Sequence, residues 1–467
     1  MLSLTLDTST SLPLVEQIVR GVREQIDDRL LRGGSRLPPI RQFATHYGVS
    51  RFTVVEAYER LVALGYLQSR RGSGFYVQSR DDSGPVRAAE PVPDRALDVA
   101  WVVRSGLDAP DEQLRASAGW LPPSWLPEEE IRRQLRAIAR EENPRLTRYG
   151  NSMGYLPLRE QICVRLAARG VAAQPEQVLL TQGASQALDL VARHLVRPGD
   201  AVLVDDPGYH AFFGNLRLQG ARLIGVPRTA QGPDPEALER LAAEHKPRFF
   251  YTQSALHNPT GTDLSPAVAH RVLRCAEQHD FAILEDDVFG GFQPTPTVRL
   301  ATLDQLARVI YVNSFSKTIS ADLRVGYVAA NPALIAALRD LKLLTNNTSP
   351  EMNESVVHGM LIGGQYRRHC ERLRERLDAA RASTLRMLER TGCEVPYVPS
   401  AGVFLWVRKT GVEDAAPLVD AAAQSGILLA PGQTFRPQMQ ASPYFRINIA
   451  YGGDRRLERF LSQYGPG

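Results

Sequence analysis

Apolar side chains at Leu14, Ile18, Val22, Ile26 and Leu30 recur every fourth position, the pattern of one amphipathic helix that Gly33-Gly34 should end. A second, shorter helix is expected from Pro39, favoured in a first helical turn, through Ile40, Phe43 and Ala44 to a break at Gly48. Ser50 is a good N-cap for a third helix, whose Val54, Ala57, Tyr58, Leu61 and Leu64 share one side and which Gly65 should stop. Short runs at 66–68 and 75–77 then form a hairpin across Arg70-Arg71-Gly72-Ser73-Gly74. Residues 80–98 have no apolar period and carry Pro85, Pro91 and Pro93 among polar residues, as an extended tether would. The run 99–103 can already be a strand of the large segment beyond the tether. From about residue 128, helical stretches alternate with apolar runs at 178–180, 201–204, 222–226, 249–251, 281–284 and 309–312. That alternation predicts an α/β unit with a mostly parallel sheet and helices on both faces.

Length and charge sharpen this division. A chain of 467 residues has room for two to three domains and a large core. Its net charge of +4 is localised. Residues 1–80 hold eleven arginines against seven acidic side chains, and the remainder is balanced. The excess cation therefore sits on the small N-terminal unit, as an electrostatic footprint for nucleic acid would. The four cysteines (Cys163, Cys275, Cys370, Cys393) are far apart, with no CxxC pair, which fits neither a disulfide framework nor a zinc site. With no signal-peptide pattern and no apolar run long enough for a membrane span, a cytoplasmic protein is expected.

The candidate chemistry clusters after the strands. The run 309–312 leads into Asn313-Ser314-Phe315-Ser316-Lys317, with Arg324 seven residues beyond the lysine. Lysine is scarce: only Lys246, Lys317, Lys342 and Lys409 occur among 55 basic residues. Arginine keeps its proton, whereas a lysine in a suitable site can become a free amine and form a Schiff base. Ser314 and Arg324 offer a hydroxyl and a fixed cation to a phosphate. After 178–180, the glycine turn Thr181-Gln182-Gly183-Ala184-Ser185-Gln186 feeds a helix from Ala187, and the free N–H groups at such a helix start suit a phosphate. Tyr209 can lie flat on a planar ring, Asn258 supplies an amide on a turn, and Asp286 is a strand-end carboxylate able to hold a pyridinium proton. Together these are the requirements of pyridoxal phosphate. Of the other candidates, His257 and His279 are expected to be structural or surface residues. The arginine-rich run 367–381 is interleaved with Glu371 and Glu375, which suggests a solvated, salt-bridged helix face.

The chain carries two resemblances. Arg36-Leu37-Pro38-Pro39-Ile40-Arg41, Tyr47-Gly48-Val49-Ser50-Arg51-Phe52-Thr53-Val54, Leu64-Gly65-Tyr66-Leu67 and Gly72-Ser73-Gly74-Phe75-Tyr76-Val77 resemble the GntR-type winged helix-turn-helix, with Pro39 where serine is common. The resemblance implies double-stranded DNA contacts by Arg41, Ser50, Arg51 and Thr53, and at the wing by Arg70, Arg71 and Gly72. The large segment resembles the fold-type I aminotransferases, a match that extends to Tyr149-Gly150, Gly154, Leu158-Arg159 and Phe445-Arg446-Ile447-Asn448. This implies that Lys317 forms the Schiff base, Asp286 pairs with the pyridine nitrogen, Asn258 bonds the phenolic oxygen and Tyr209 stacks on the ring. It further implies that Ala184, Ser185, Ser314 and Arg324 hold the phosphate, that Tyr149 reaches in from the partner of a homodimer, and that Arg446 grips a substrate or effector carboxylate. One departure stands out: where the family often has a tyrosine shortly after the pyridinium aspartate, this chain has Val288 and Phe289.

The layout as a whole resembles the MocR family of regulators: a winged helix-turn-helix over 1–79, a linker over 80–98 and an aminotransferase-like domain over 99–467. It implies a homodimer that binds DNA and senses an amine, an amino acid or pyridoxal phosphate itself. A working aminotransferase that carries a DNA-binding head is the alternative, and the missing tyrosine hydroxyl speaks against efficient turnover.

Overall fold

The computed structural model describes residues 4–465 except 5, 8–11, 29, 32, 71–72, 79–103, 105, 111, 142–145 and 295–296. The expected linker, the possible strand at 99–103 and the wing residues Arg71 and Gly72 thus lie outside the described residues. The chain divides into two compact units, Met1–Glu90 and Pro91–Gly467.

In the first unit, α1 (Leu14–Asp27), α2 (Ile40–Tyr47) and α3 (Arg51–Ala63) precede the antiparallel pair β1 (Leu67–Arg70) and β2 (Gly74–Val77). Its core is built from Ile18, Val22, Phe43, Val54, Ala57, Tyr58, Leu61, Leu67 and Val77. Two local expectations are corrected. The helix α1 stops at Asp27 instead of running to Gly33-Gly34, and Leu30 is 70% exposed. Asp27 and Asp28 place negative charge at the negative end of the helix dipole, which disfavours another turn. Pro39 is the residue before α2, with extended backbone, and not part of its first turn. The expected break is present: Gly48 closes α2 in the left-handed conformation, at φ +65°. Ser50 caps α3 by accepting the Thr53 N–H at 3.0 Å.

The second unit is centred on β3 (Val178–Gln182), β4 (Ala201–Asp206), β5 (Arg222–Thr229), β6 (Gly232–Pro233), β7 (Phe249–Thr252), β8 (Ala282–Asp286), β9 (Val309–Ser314) and β10 (Val325–Ala329). They form one sheet in the order β3-β10-β9-β8-β7-β4-β5-β6. All six apolar runs of the sequence are strands of this sheet, paired in parallel from β5 through β4, β7 and β8 to β9. The run Val325-Gly326-Tyr327-Val328-Ala329 was not foreseen as a strand. It is wholly buried and lies antiparallel to both β3 and β9. Alternate strand residues feed two cores: Leu180, Leu203, Phe250, Ile283 and Tyr311 belong to one, and Leu179, Val202, Phe249, Leu284 and Val312 to the other. A second, antiparallel sheet of β11 (Cys393–Glu394), β12 (Phe404–Lys409), β13 (Ala430–Pro431) and β14 (Tyr444–Asn448), in the order β11-β12-β14-β13, has its own core around Leu405, Val407, Phe445 and Ile447. Among the described residues, no helix is long and apolar enough to cross a membrane.

Three consecutive buried carboxylates, Glu285 and Asp286 at the end of β8 and Asp287 just beyond it, each have a separate set of partners. Glu285 accepts the Leu300 and Ala301 N–H groups at 2.8 Å each and the Ser254 hydroxyl. Asp287 pairs with Arg169 at 2.7 Å and Arg299 at 2.9 Å and accepts the Tyr311 hydroxyl at 2.5 Å. Asp286, between them, lines a cavity of the unit. Removing one member of a buried ion network strands the others, at a cost of about 3–5 kcal/mol. Asp287→Ala should therefore lower the stability of the large unit by about that amount in urea denaturation; a loss below ~1 kcal/mol would show that the network does not anchor the end of β8.

Candidate functional site

The cavity, of about 330 Å³, lies at the carboxyl ends of the sheet strands, where open α/β folds place ligands. It brings together Ala184, Ser185, Tyr209, Asn258, Asp286, Ser314, Lys317, Arg324 and Arg446. Of the residues expected at the cofactor or its ligand, only Tyr149 is not on the cavity wall; it is 80% exposed.

The geometry around the expected phosphate-holding residues follows from local sequence. Gly183 opens the helix Gly183–Leu195 at φ +74°, and the first-turn amides that follow have no intrahelical acceptor. A Cβ at Gly183 would lie 2.5 Å from Arg324 Nη2, so glycine is what lets the guanidinium cross the helix start. Arg324 is held by the Gln182 carbonyl at 3.1 Å and the Ala321 carbonyl at 3.2 Å. The Ser314 hydroxyl donates to the Val325 carbonyl at 3.0 Å and lies 2.9 Å from Ser316 Oγ, and Arg324 Nη1 reaches Ser316 Oγ at 3.4 Å. Ser316, which had no assigned role, therefore joins the predicted hydroxyl to the predicted cation.

At the other end, Asp286 accepts the Tyr251 hydroxyl at 2.8 Å and the Gln253 side-chain N–H at 2.9 Å on one oxygen, and the Val288 N–H at 3.2 Å on the other. Burial raises its pKa, and these donors oppose the rise. Tyr251 and Gln253 were not foreseen. Both sit at the end of β7, where a polar side chain following an apolar run was the available signal. Burial, then Arg446 and Arg324, bring Lys317 down to about 8 against the pull of Asp286. Its ammonium lies 5.9 Å from the Phe289 ring centroid, and a Cβ on Gly119 would come within 3.8 Å of it. Val288 and Phe289 both line the cavity, so the missing tyrosine is replaced there by apolar surface.

Arg446 is buried between the Phe404 and Phe435 rings, 4.3 and 4.9 Å from their centroids. It donates to Asn258 Oδ1 at 2.7 Å and to Ser117, at the carbonyl at 2.5 Å and Oγ at 3.3 Å. Among the described residues no carboxylate pairs with it, and burial draws it down to about 9. Arg228 shows the contrasting arrangement: equally buried, it is paired with Asp205 at 2.9 Å. His257 belongs to that second network, through Asp205 at 3.5 Å and Thr260 at 2.9 Å, and is structural. His279 bonds Glu239 at 2.6 Å, away from the cavity. In the helix Gln365–Arg390, Arg367 approaches Glu371 at 3.8 Å with both side chains largely exposed, a solvated face as expected.

In the first unit, Arg41 and Arg51 are exposed, with no ion partner among the described residues. Ser50 and Thr53 were expected to offer two hydroxyls. They are bonded to each other at 2.8 Å, so capping takes up part of that capacity. Arg70 lies over the Tyr76 ring at 4.6 Å, on the wing.

The fold and the cavity define a fold-type I aminotransferase unit, and the head defines a winged helix-turn-helix. Residues 122–463 match the model for aminotransferase class I and II, and the chain belongs to that family. Residues 14–77 match the model for bacterial regulatory proteins of the gntR family. The chain is similar to YdfD of Bacillus subtilis (strain 168), described as an uncharacterized HTH-type transcriptional regulator, at 27% identity over 97% of this chain and 96% of the relative. It is also similar to the HTH-type transcriptional regulator NorG of Staphylococcus aureus (strain N315), at 26% identity over 91% and 98%. Of solved structures, LysN, an alpha-aminoadipate aminotransferase from Thermus thermophilus complexed with N-(5'-phosphopyridoxyl)-L-leucine, superposes with a TM-score of 0.72. It is 28% identical, and the match covers 79% of this chain and 97% of that one.

A depressed lysine pKa is testable directly. In the cofactor-free protein, the free amine fraction of Lys317 grows as pH rises through about 8. Its labelling by an amine-selective reagent, read by mass spectrometry, should rise about tenfold per pH unit below that value and level off above it. A rise that continues to pH 10 would contradict the depressed pKa.

Proposed function

We propose that the chain is a DNA-binding transcriptional regulator whose large unit holds pyridoxal 5'-phosphate and uses it to sense an amino acid or other carboxylate-bearing amine. The observation that carries this reading is Arg446: a buried guanidinium with no carboxylate partner among the described residues, in the same cavity as Lys317 and Asp286. An unpaired buried cation is costly unless a ligand supplies the counter-charge, and a ligand carboxylate fits it in bidentate fashion. The donor set fits the cofactor at each end. The first-turn amides of Ala184 and Ser185, together with Ser314 and Arg324, suit its phosphate, Asp286 suits its ring nitrogen, Asn258 its phenolic oxygen and Tyr209 its ring face. When bound, the cofactor supplies an aldehyde that condenses with amines and a ring that withdraws electrons. Lys317, largely shielded and facing two arginines, presents a neutral amine to that aldehyde at a pH near 8.

Phe289 favours sensing over turnover, because it offers no hydroxyl to the phenolic oxygen. The exposed apolar side chains Leu156, Val164, Leu344, Met352 and Ile362 support a homodimer, and the exposure of Tyr149 suits a residue that serves a partner's cavity. The excess of arginine over acid in residues 1–80 and the exposed Arg41 and Arg51 support operator binding, and with it a cytoplasmic location. Ligand binding in the large unit then alters DNA affinity by linkage.

Titrating the cofactor-loaded protein with amino acids and amines, followed by absorbance, tests the sensing role. One compound should shift the visible band durably without producing pyridoxamine phosphate. Conversion to pyridoxamine phosphate, reversed by a keto acid, would establish an aminotransferase instead. Lys317→Ala should lose the lysine-dependent band, and its persistence would remove Lys317 from the centre. Arg51→Ala should weaken binding to an operator fragment about tenfold or more while cofactor absorbance stays unchanged; unaltered DNA binding would remove α3 from the interface.

A further inference from the structure

The first turn of α3 carries a side chain that neither the fold nor the polar contacts explain. Phe52 is 76% exposed, although it lies between Arg51 and Thr53 at the start of the helix. Val54, Ala57, Tyr58 and Leu61 form the buried stripe of α3. At about 100° per residue, Phe52 points almost diametrically away from that stripe. It therefore contributes nothing to the core. A large exposed aromatic ring at this point gains free energy only when a partner covers it.

Charge identifies the partner. Arg51 and Arg41 are exposed, with no ion partner among the described residues, and the unit carries the chain's excess of positive charge. Further along the outward face the chemistry changes sign: Glu56 and Glu59 lie one and two turns after Phe52, and Glu56 is paired with Arg60 at 3.3 Å. Only the first turn is suited to approach a polyanion, which matches the N-terminal entry of a recognition helix into a major groove. Within that turn, Ser50 and Thr53 are partly committed to the cap. Arg51 and Phe52 remain to meet the base edges.

We propose that Phe52 reads a thymine in the operator through the thymine 5-methyl group. The ring has no polar atom, so it cannot satisfy the donors and acceptors that guanine, adenine and cytosine present in the major groove. The thymine methyl is the one apolar group displayed there. Placed against any other base, the ring would desolvate polar edges without replacing their hydrogen bonds, and so it discriminates as well as attracts. Arg51 would anchor the helix through a polar contact, and Phe52 would select an adjacent position by apolar contact.

This inference rests on the DNA-binding reading, and one experiment separates the two. Duplexes that bind the full-length, cofactor-loaded protein are selected from a random pool. Each thymine of the selected site is then replaced singly by deoxyuridine, which removes only the methyl group. For the unmodified protein, one thymine per half-site should show a loss of about fourfold, equivalent to ~0.8 kcal/mol for one buried methyl group. Phe52→Ala should abolish the difference between thymine and deoxyuridine at that position. Its salt dependence should be unchanged, because no phosphate contact is lost. A selected site at which no deoxyuridine penalty depends on Phe52 overturns the thymine assignment alone. Failure to select any duplex overturns the DNA-binding reading and the assignment with it.

Discussion

Positive charge buried without a matching counter-charge is the constraint on which the large unit's design turns. Arg446 sits between two aromatic rings with only neutral acceptors for its protons among the described residues, and Lys317 shares its cavity. Asp286, a carboxylate on the cavity wall, is already bonded by Tyr251, Gln253 and the Val288 N–H. Elsewhere in the same unit Arg228 is paired with Asp205 and Arg299 with Asp287, while Arg159, also buried, donates to the Gly154 and Pro175 carbonyls. Arg446 differs from all three in lining the cavity, where a ligand can meet it. An anionic ligand that contributes both phosphate and carboxylate would complete what the protein leaves incomplete.

Much of this was legible in the sequence because strand ends concentrate the chemistry. Each apolar run became a strand of the central sheet, and all but the run 222–226 are followed by residues that line one cavity. What escaped was mostly non-local. The strand β10 reads as an ordinary apolar run, yet its insertion between β3 and β9 presses Gly326 against the start of the helix Gly183–Leu195, where a Cβ would lie 2.6 Å from the Gly183 carbonyl carbon. Ser117 reaches Arg446 across 329 residues, a contact that no local pattern announces. The early end of α1 shows a four-residue apolar period overruled by two aspartates at the helix terminus.

The substitution of Phe289 for a hydroxyl-bearing residue and the exposure of Phe52 are complementary departures from polar sites. In the cavity, an aromatic ring without a hydroxyl reduces the means of tuning the cofactor for turnover while leaving room to hold it. On α3, an exposed ring without a polar atom stands beside the exposed cation Arg51 at the turn proposed to meet DNA. Both changes suit a protein in which binding, and not turnover, is the output.

The central claim is that occupancy of the Lys317–Arg446 cavity changes affinity for DNA. Its most direct measurement is the fluorescence anisotropy of a labelled operator titrated with cofactor-loaded protein, with and without the amino compound that shifts the cofactor band, for the natural chain and for Arg446→Ala. A coupling of about 1–3 kcal/mol predicts a change in Kd of roughly five- to 150-fold in the natural chain that disappears in the variant. Identical affinities with and without the compound would contradict the claim, however tightly each ligand binds by itself.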